Sequence, residues 1–130
     1  MNEELNEWIG KAEGGHFSAL REYRARKHVN NDSTCFHAQQ CVEKYLKAVL
    51  VSHRIPFGKT HDLLPLLSEC LASHPLWESW GDDVEWLTQY SVLFRYPGET
   101  ATRDDARKAI RLVKALRTEL RYALGLDANA

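Results

Sequence analysis

Apolar residues recur along this chain every three to four positions, and no four-residue stretch alternates as a strand does. Leu5, Trp8, Ile9, Ala12, Ala19, Leu20 and Tyr23 form one stripe of a first helix, predicted near residues 3–27. Gly14 and Gly15 lie inside it. Each glycine costs on the order of 1 kcal/mol relative to alanine in a helix, so the pair either admits another backbone at close range or kinks the helix. Asn30, Asn31 and Asp32 then break the pattern, with Asp32 as a natural N-cap for a second helix. Ala38, Cys41, Val42, Tyr45, Leu46, Val49 and Leu50 give that helix a wide apolar face, ending near His53 ahead of the turn Arg54-Ile55-Pro56-Phe57-Gly58.

A third, shorter helix is predicted from Asp62 as N-cap to about Ala72. Pro65 falls at its third position, where a missing N–H costs nothing. The fourth begins after Gly81 with Asp82 and Asp83, acids suited to the positive end of a helix dipole, and ends at Arg95. Its apolar residues lie on two stripes, Val84-Leu87-Ser91-Phe94 and Trp86-Tyr90-Leu93, which predicts burial on two sides. The fifth spans about 101–124, with Ala106, Ala109, Ile110, Val113, Leu116, Leu120 and Leu124 inward. Short connections between five helices predict an all-α, five-helix up-and-down antiparallel bundle, a single domain over residues 1–130 with a short disordered tail from about 125.

The balance of 17 Lys+Arg against 18 Asp+Glu, a net charge of −1, argues against a globally basic nucleic-acid coat and against a polyanionic tail. Three cysteines, Cys35, Cys41 and Cys70, cannot all pair within the chain, and the first two are badly placed to bridge on one helix. They read as small buried residues in a reducing compartment. The acidic start MNEELNEW lacks the layout of a secretion signal, and no apolar run approaches the ~18 residues of a membrane span. A cytoplasmic protein is expected.

Candidate chemistry concentrates in three places. On the second helix, His37, Gln40, Lys44 and Lys47 share one side, with Gln39 and Glu43 nearby. The stripe is either a solvated face or a pocket wall for a phosphate or base. The segment Phe94-Arg95-Tyr96-Pro97-Gly98-Glu99-Thr100 brings an arginine fork toward the start of the last helix, where an anion is favoured; the same arginine could instead cap the fourth helix. The fifth helix carries Arg103, Arg107, Arg111, Lys114, Arg117 and Arg121 on about a third of its circumference. Neighbours four apart repel by roughly 0.2–0.5 kcal/mol, so something acidic must answer them: the acids of this chain, such as Glu3, Glu4 and Glu7, a partner protein, or an RNA backbone. His37 and Cys41 form an i,i+4 pair beside Cys35, but no second ligand pair at zinc spacing exists, and no metal or cofactor is expected.

The run from Asp32 to Ala48, DSTCFHAQQCVEKYLKA, closely resembles the second-helix signature of HEPN domains. Thr60-His61-Asp62-Leu63 after Ile55-Pro56-Phe57 resembles the next landmark of that family. Leu87-Thr88, Tyr90 and Arg95-Tyr96-Pro97 resemble a third. The resemblance covers almost the whole chain. It implies a five-helix bundle that dimerises around a cleft and a link to nucleotides or RNA. Many small prokaryotic members accompany a minimal nucleotidyltransferase, as the toxin half of a toxin–antitoxin pair or as its substrate-binding partner.

HEPN ribonucleases resemble one another in an Arg, four to six residues, then His near the start of the last helix. Counted from Arg95, that window holds Thr100, Ala101 and Thr102, and no histidine. The spacing recurs at Arg21…His28 and Arg54…His61, in the wrong landmarks and at a frequency chance explains.

The first reading is therefore a homodimeric nucleotide- or RNA-binding module working with a nucleotidyltransferase. In it Arg95 holds a phosphate, Lys44 and Lys47 add charge, Tyr90 or Tyr96 offers a stacking face, and His37, Gln40 and His61 supply polar contacts. A second is a metal-independent ribonuclease toxin with His37 or His61 as acid/base. A third is a helical scaffold without a small-molecule site. Trp77, Trp80 and Trp86 are expected to support an interface in each.

Overall fold

A computed structural model describes residues 2–93 and 96–127. The periodic segments become α1 (Glu3–Arg24), α2 (Asn31–Ser52), α3 (Leu63–Cys70), α4 (Gly81–Thr88) and α5 (Arg103–Ala123), with a 3-10 helix at Pro75–Trp80 running into α4. No strand occurs among the described residues. Among the described residues the fold is all-α with five α-helices, as the periodicity predicts.

Helices α1 and α2 form an antiparallel pair: Trp8 meets Lys47, Glu13 meets Tyr45, and Gly15 meets Cys41. Helix α5 lies against both. Its first residue, Arg103, donates to the Tyr23 carbonyl at 2.8 Å near the end of α1, while Arg117 reaches back to Glu13 at 2.6 Å. It therefore runs antiparallel to α1 and parallel to α2, its direction set by the long return through residues 53–102. Tyr45, Leu46, Leu50, Leu63, Leu66, Leu67, Leu87 and Leu120 fill the fully buried centre.

Gly15 shows why a glycine sits in mid-helix. A Cβ there would lie 3.0 Å from the Cys41 nitrogen and 3.1 Å from the His37 carbonyl oxygen, so α2 approaches through the missing side chain. Gly14 has nothing within 4 Å.

Several boundaries differ from expectation. The N-cap of α2 is Asn30, whose Oδ1 accepts from the Ser33 N–H at 2.9 Å; Asp32 lies within the first turn and accepts the Ala101 N–H at 2.7 Å, tying the approach of α5 to α2. Asp62 does cap α3, accepting from Leu64. Helix α1 ends at Arg24 rather than near 27, and α4 stops at Thr88. Beyond it, Tyr90 and Ser91 donate back to Leu87 and Thr88 in tight turns, and Val92 and Leu93 are exposed, so the two-sided burial extends only to Tyr90. The three tryptophans do not form one cluster. Trp77 stacks on Trp80 at 4.7 Å and on His74 at 4.0 Å, whereas Trp86 packs edge-on to Tyr90 beneath Lys108. At the far end, the Leu126 N–H and the Asp127 carbonyl bond to Arg121, folding residues 125–127 back on α5; residues 128–130 of the expected disordered tail lie outside the described residues.

Candidate functional site

Five polar residues of α2 repeat at helical spacing: Gln39, Gln40, Glu43, Lys44 and Lys47. They surround a single carboxylate. Glu43 has no solvent exposure. Its Oε2 accepts from Lys44 Nζ at 2.6 Å and from Lys47 Nζ at 3.0 Å, and its Oε1 accepts from His61 Nδ1 at 2.9 Å and Gln39 Nε2 at 3.3 Å. Gln39 also donates to the His61 carbonyl at 2.8 Å, and its own carbonyl accepts from Gln40 Nε2 at 2.7 Å. The loop carrying His61 is pinned on its other side, where the Leu63 N–H meets Thr88 Oγ1 at 3.1 Å. The α2–α3 loop and α4 thus bring His61 over the middle of α2.

Burial acts to raise the Glu43 pKa, but the hydrogen bonds from Lys44, His61 and Lys47 outweigh it and hold the carboxyl below its usual 4.5. One carboxylate against two ammonium groups leaves the cluster with an excess positive charge before His61 is counted. The His61 side chain is 63% exposed while one nitrogen is fixed by a buried carboxylate. Such a pairing orients the ring and leaves its other nitrogen toward solvent.

The cluster borders a cleft of about 480 Å³ between the start of α1 and the end of α2, lined by Asn2, Glu4, Trp8, Val51, Arg54, Ile55, Pro56 and Phe57. Trp8 and Phe57 meet edge to face at 5.9 Å. Lys44 and Lys47 lie over the Trp8 ring at 5.8 and 5.4 Å from its centroid, within cation–π range.

Of the residues singled out in the sequence, Gln40, Lys44, Lys47 and His61 come together here. Lys47 is 5% exposed, so it is an inward ion-pair partner and not part of a solvated stripe. His37 takes no part in the cluster. It packs edge-on to Phe36 and faces Glu22 and Arg21 of α1, and burial, with Arg21, pushes its pKa below 6.5. Tyr90 is 3% exposed and packed on Trp86, a core position with no open stacking face. Tyr96 is 68% exposed in the loop before α5, and Arg95 lies outside the described residues.

The central role of Glu43 was not legible in advance. Its signal was the i,i+4 series Gln39, Glu43, Lys47 running beside apolar Val42 and Leu46, a polar row on the edge of a core face. A second missed acid is Glu13, which answers the cationic stripe of α5. It binds Arg117 at 2.6 and 2.7 Å and lies 3.4 Å from Arg121, and Tyr45 donates to it at 2.6 Å. Burial raises its pKa, but Arg117 and Tyr45 outweigh that and hold it below 4.5. An acid of this chain thus answers the stripe, as one of the expected alternatives had it, but among the described residues the examples Glu3, Glu4 and Glu7 make no ion pair with α5. Arg107 pairs with Asp104, and Arg103 lies over Tyr23.

Among the described residues no group of three or more His, Cys, Asp or Glu is arranged to hold a metal, and no helix is long and apolar enough to cross a membrane. Cys35, Cys41 and Cys70 are all buried, and burial drives the Cys41 thiol pKa far up. A family model described as "HEPN domain" matches residues 5–122. No curated protein and no solved structure matches the chain.

Proposed function

This chain belongs to the HEPN domain family, with its nucleotide- and RNA-related functions, and on that premise we propose that it is a nucleotide- or RNA-binding module that acts as a dimer beside a nucleotidyltransferase, within a toxin–antitoxin pair. The observation that carries the reading is the Glu43 cluster, in which two lysines share one buried carboxylate next to an exposed imidazole and an aromatic cleft. Fixed ammonium groups in excess over their counter-charge attract phosphate, and neighbouring rings offer faces on which bases stack. Lys44 is the ammonium with access to solvent, at 17% side-chain exposure against 6% for Lys47. Arg95, outside the described residues, is the phosphate grip that the family resemblance implies.

The test is binding of a labelled short RNA and of free nucleotides to the wild type and to Arg95→Ala. Weaker binding with an unchanged melting temperature supports the reading; a variant that unfolds makes Arg95 structural. A strict monomer at micromolar concentration in sedimentation contradicts the dimer, and failure to co-purify with a co-expressed nucleotidyltransferase contradicts the partnership.

A metal-independent ribonuclease is the second reading, and one contact favours it. The 2.9 Å bond from buried Glu43 to His61 is the arrangement that orients a general base, and His61 is therefore the acid/base in this reading. Cleavage of a labelled tRNA pool in EDTA that His61→Asn abolishes would establish it. An uncut pool would leave the binding module.

A further inference from the structure

The cleft beside the cluster contains a backbone anomaly. Helix α2 closes with the Ile55 N–H bonded to the Leu50 carbonyl at 2.9 Å, the six-to-one bond of a Schellman ending. The residue enclosed by that bond must take a left-handed conformation, which glycine adopts without strain. Here it is Arg54, at φ 58°. Arg54 is exposed and lines the cleft, and among the described residues no ion pair joins it to Glu4 of the same cleft or to any other acid. A long cation held in a strained backbone well, unpaired, at the mouth of an aromatic-lined cavity has no structural task visible in the fold.

We propose that this cleft binds a nucleoside monophosphate, with the base against Trp8 and Phe57 and the phosphate on the Arg54 guanidinium. The inference rests on the nucleotide-binding reading and gives it a location. The volume of about 480 Å³ falls in the roughly 300–1,000 Å³ range of small-ligand sites. Trp8 and Phe57 supply ring faces, Val51 and Ile55 an apolar floor, and Glu4 an acceptor for amino or hydroxyl groups. A cation and an acceptor lining one cleft match a ligand with an anionic group and donor groups. The phosphate itself gains the strongest kind of contact that a side chain offers, a charge-assisted guanidinium pair.

Calorimetric titration of the four nucleoside monophosphates and their uncharged nucleosides into the wild type and Arg54→Gly tests this, with short RNA run alongside. At least one monophosphate is expected to bind the wild type. Arg54→Gly should weaken it about tenfold or more and leave nucleoside binding unchanged, while the melting temperature holds or rises because glycine suits the backbone. Equal monophosphate affinity in both proteins overturns the cleft assignment and leaves nucleotide binding in place elsewhere. RNA binding without monophosphate binding likewise overturns the cleft alone. Neither RNA nor nucleotide binding removes the parent reading as well. A clearly lowered melting temperature in Arg54→Gly makes the arginine structural and overturns the proposal.

Discussion

Glu43 has no contact with water, and a carboxylate in that position stays charged only where partners replace its hydration. Lys44, Lys47, His61 and Gln39 do so. Removing the charge strands Lys47, itself 5% exposed, so Glu43→Gln should lose about 3–5 kcal/mol in denaturant unfolding. The same bonds set a pH dependence. Glu43 and Glu13 are both held below 4.5 in the folded chain. Their stabilisation is complete above that value and is lost as pH falls from it through the lower folded value, because the unfolded chain takes up protons first. His16 adds a loss at higher pH. Its Nδ1 is buried without a hydrogen-bond partner among the described residues, and burial, then Arg117, keeps its pKa below 6.5. Stability should therefore begin to decline as pH drops beneath 6.5, and His16→Leu should reduce that first decline while leaving the one below 4.5; an acid titration followed by circular dichroism checks both. At this scale the sequence disclosed which polar residues share a face of α2. It did not disclose that the face turns inward, because burial of Glu43 depends on a loop eighteen residues further along that supplies His61.

Between elements, the α1–α2 contact passes through one missing methyl group. Gly15→Ala should cost about 1–3 kcal/mol, since the new Cβ meets the Cys41 and His37 backbone, which cannot turn aside. Gly14→Ala meets nothing within 4 Å and should gain up to about 1 kcal/mol of helix propensity. Thermal unfolding of the two variants compares them directly, and equal shifts would contradict the close approach. Caps behave similarly. Asn30→Ala should cost about 1 kcal/mol as an N-cap, whereas Asp32→Ala loosens the tie to Ala101 at the start of α5. All five helices were legible because each buries a stripe at 3.6-residue spacing. The boundaries of α2 and α4 were not. Three consecutive cap-forming residues, Asn30 to Asp32, leave the first turn ambiguous, and the apolar run through Leu93 continues past the point where tight turns end α4.

Across the whole molecule, α1, α2 and α5 form the frame, and the return through residues 53–102 carries the loop that completes the site. The Glu13 pairs with Arg117 and Arg121 bind α1 to α5 from inside and remove two cations from the surface, which leaves Arg111 and Lys114 exposed on the outer face of α5. The net charge of −1 therefore says little about where a polyanion would bind; the local excess around Glu43 says more. Binding of a polyanion at this site depends on that excess. The most direct measurement is titration of a labelled short single-stranded RNA into the wild type and Lys44→Ala over a range of salt concentrations. Binding should weaken with salt, and Lys44→Ala, titrated at a temperature where it is fully folded because it loses a bond to buried Glu43, should bind several-fold less tightly across sequences, with a salt slope smaller by about one. Equal affinity and slope in the two proteins, or no binding by the wild type, would contradict it.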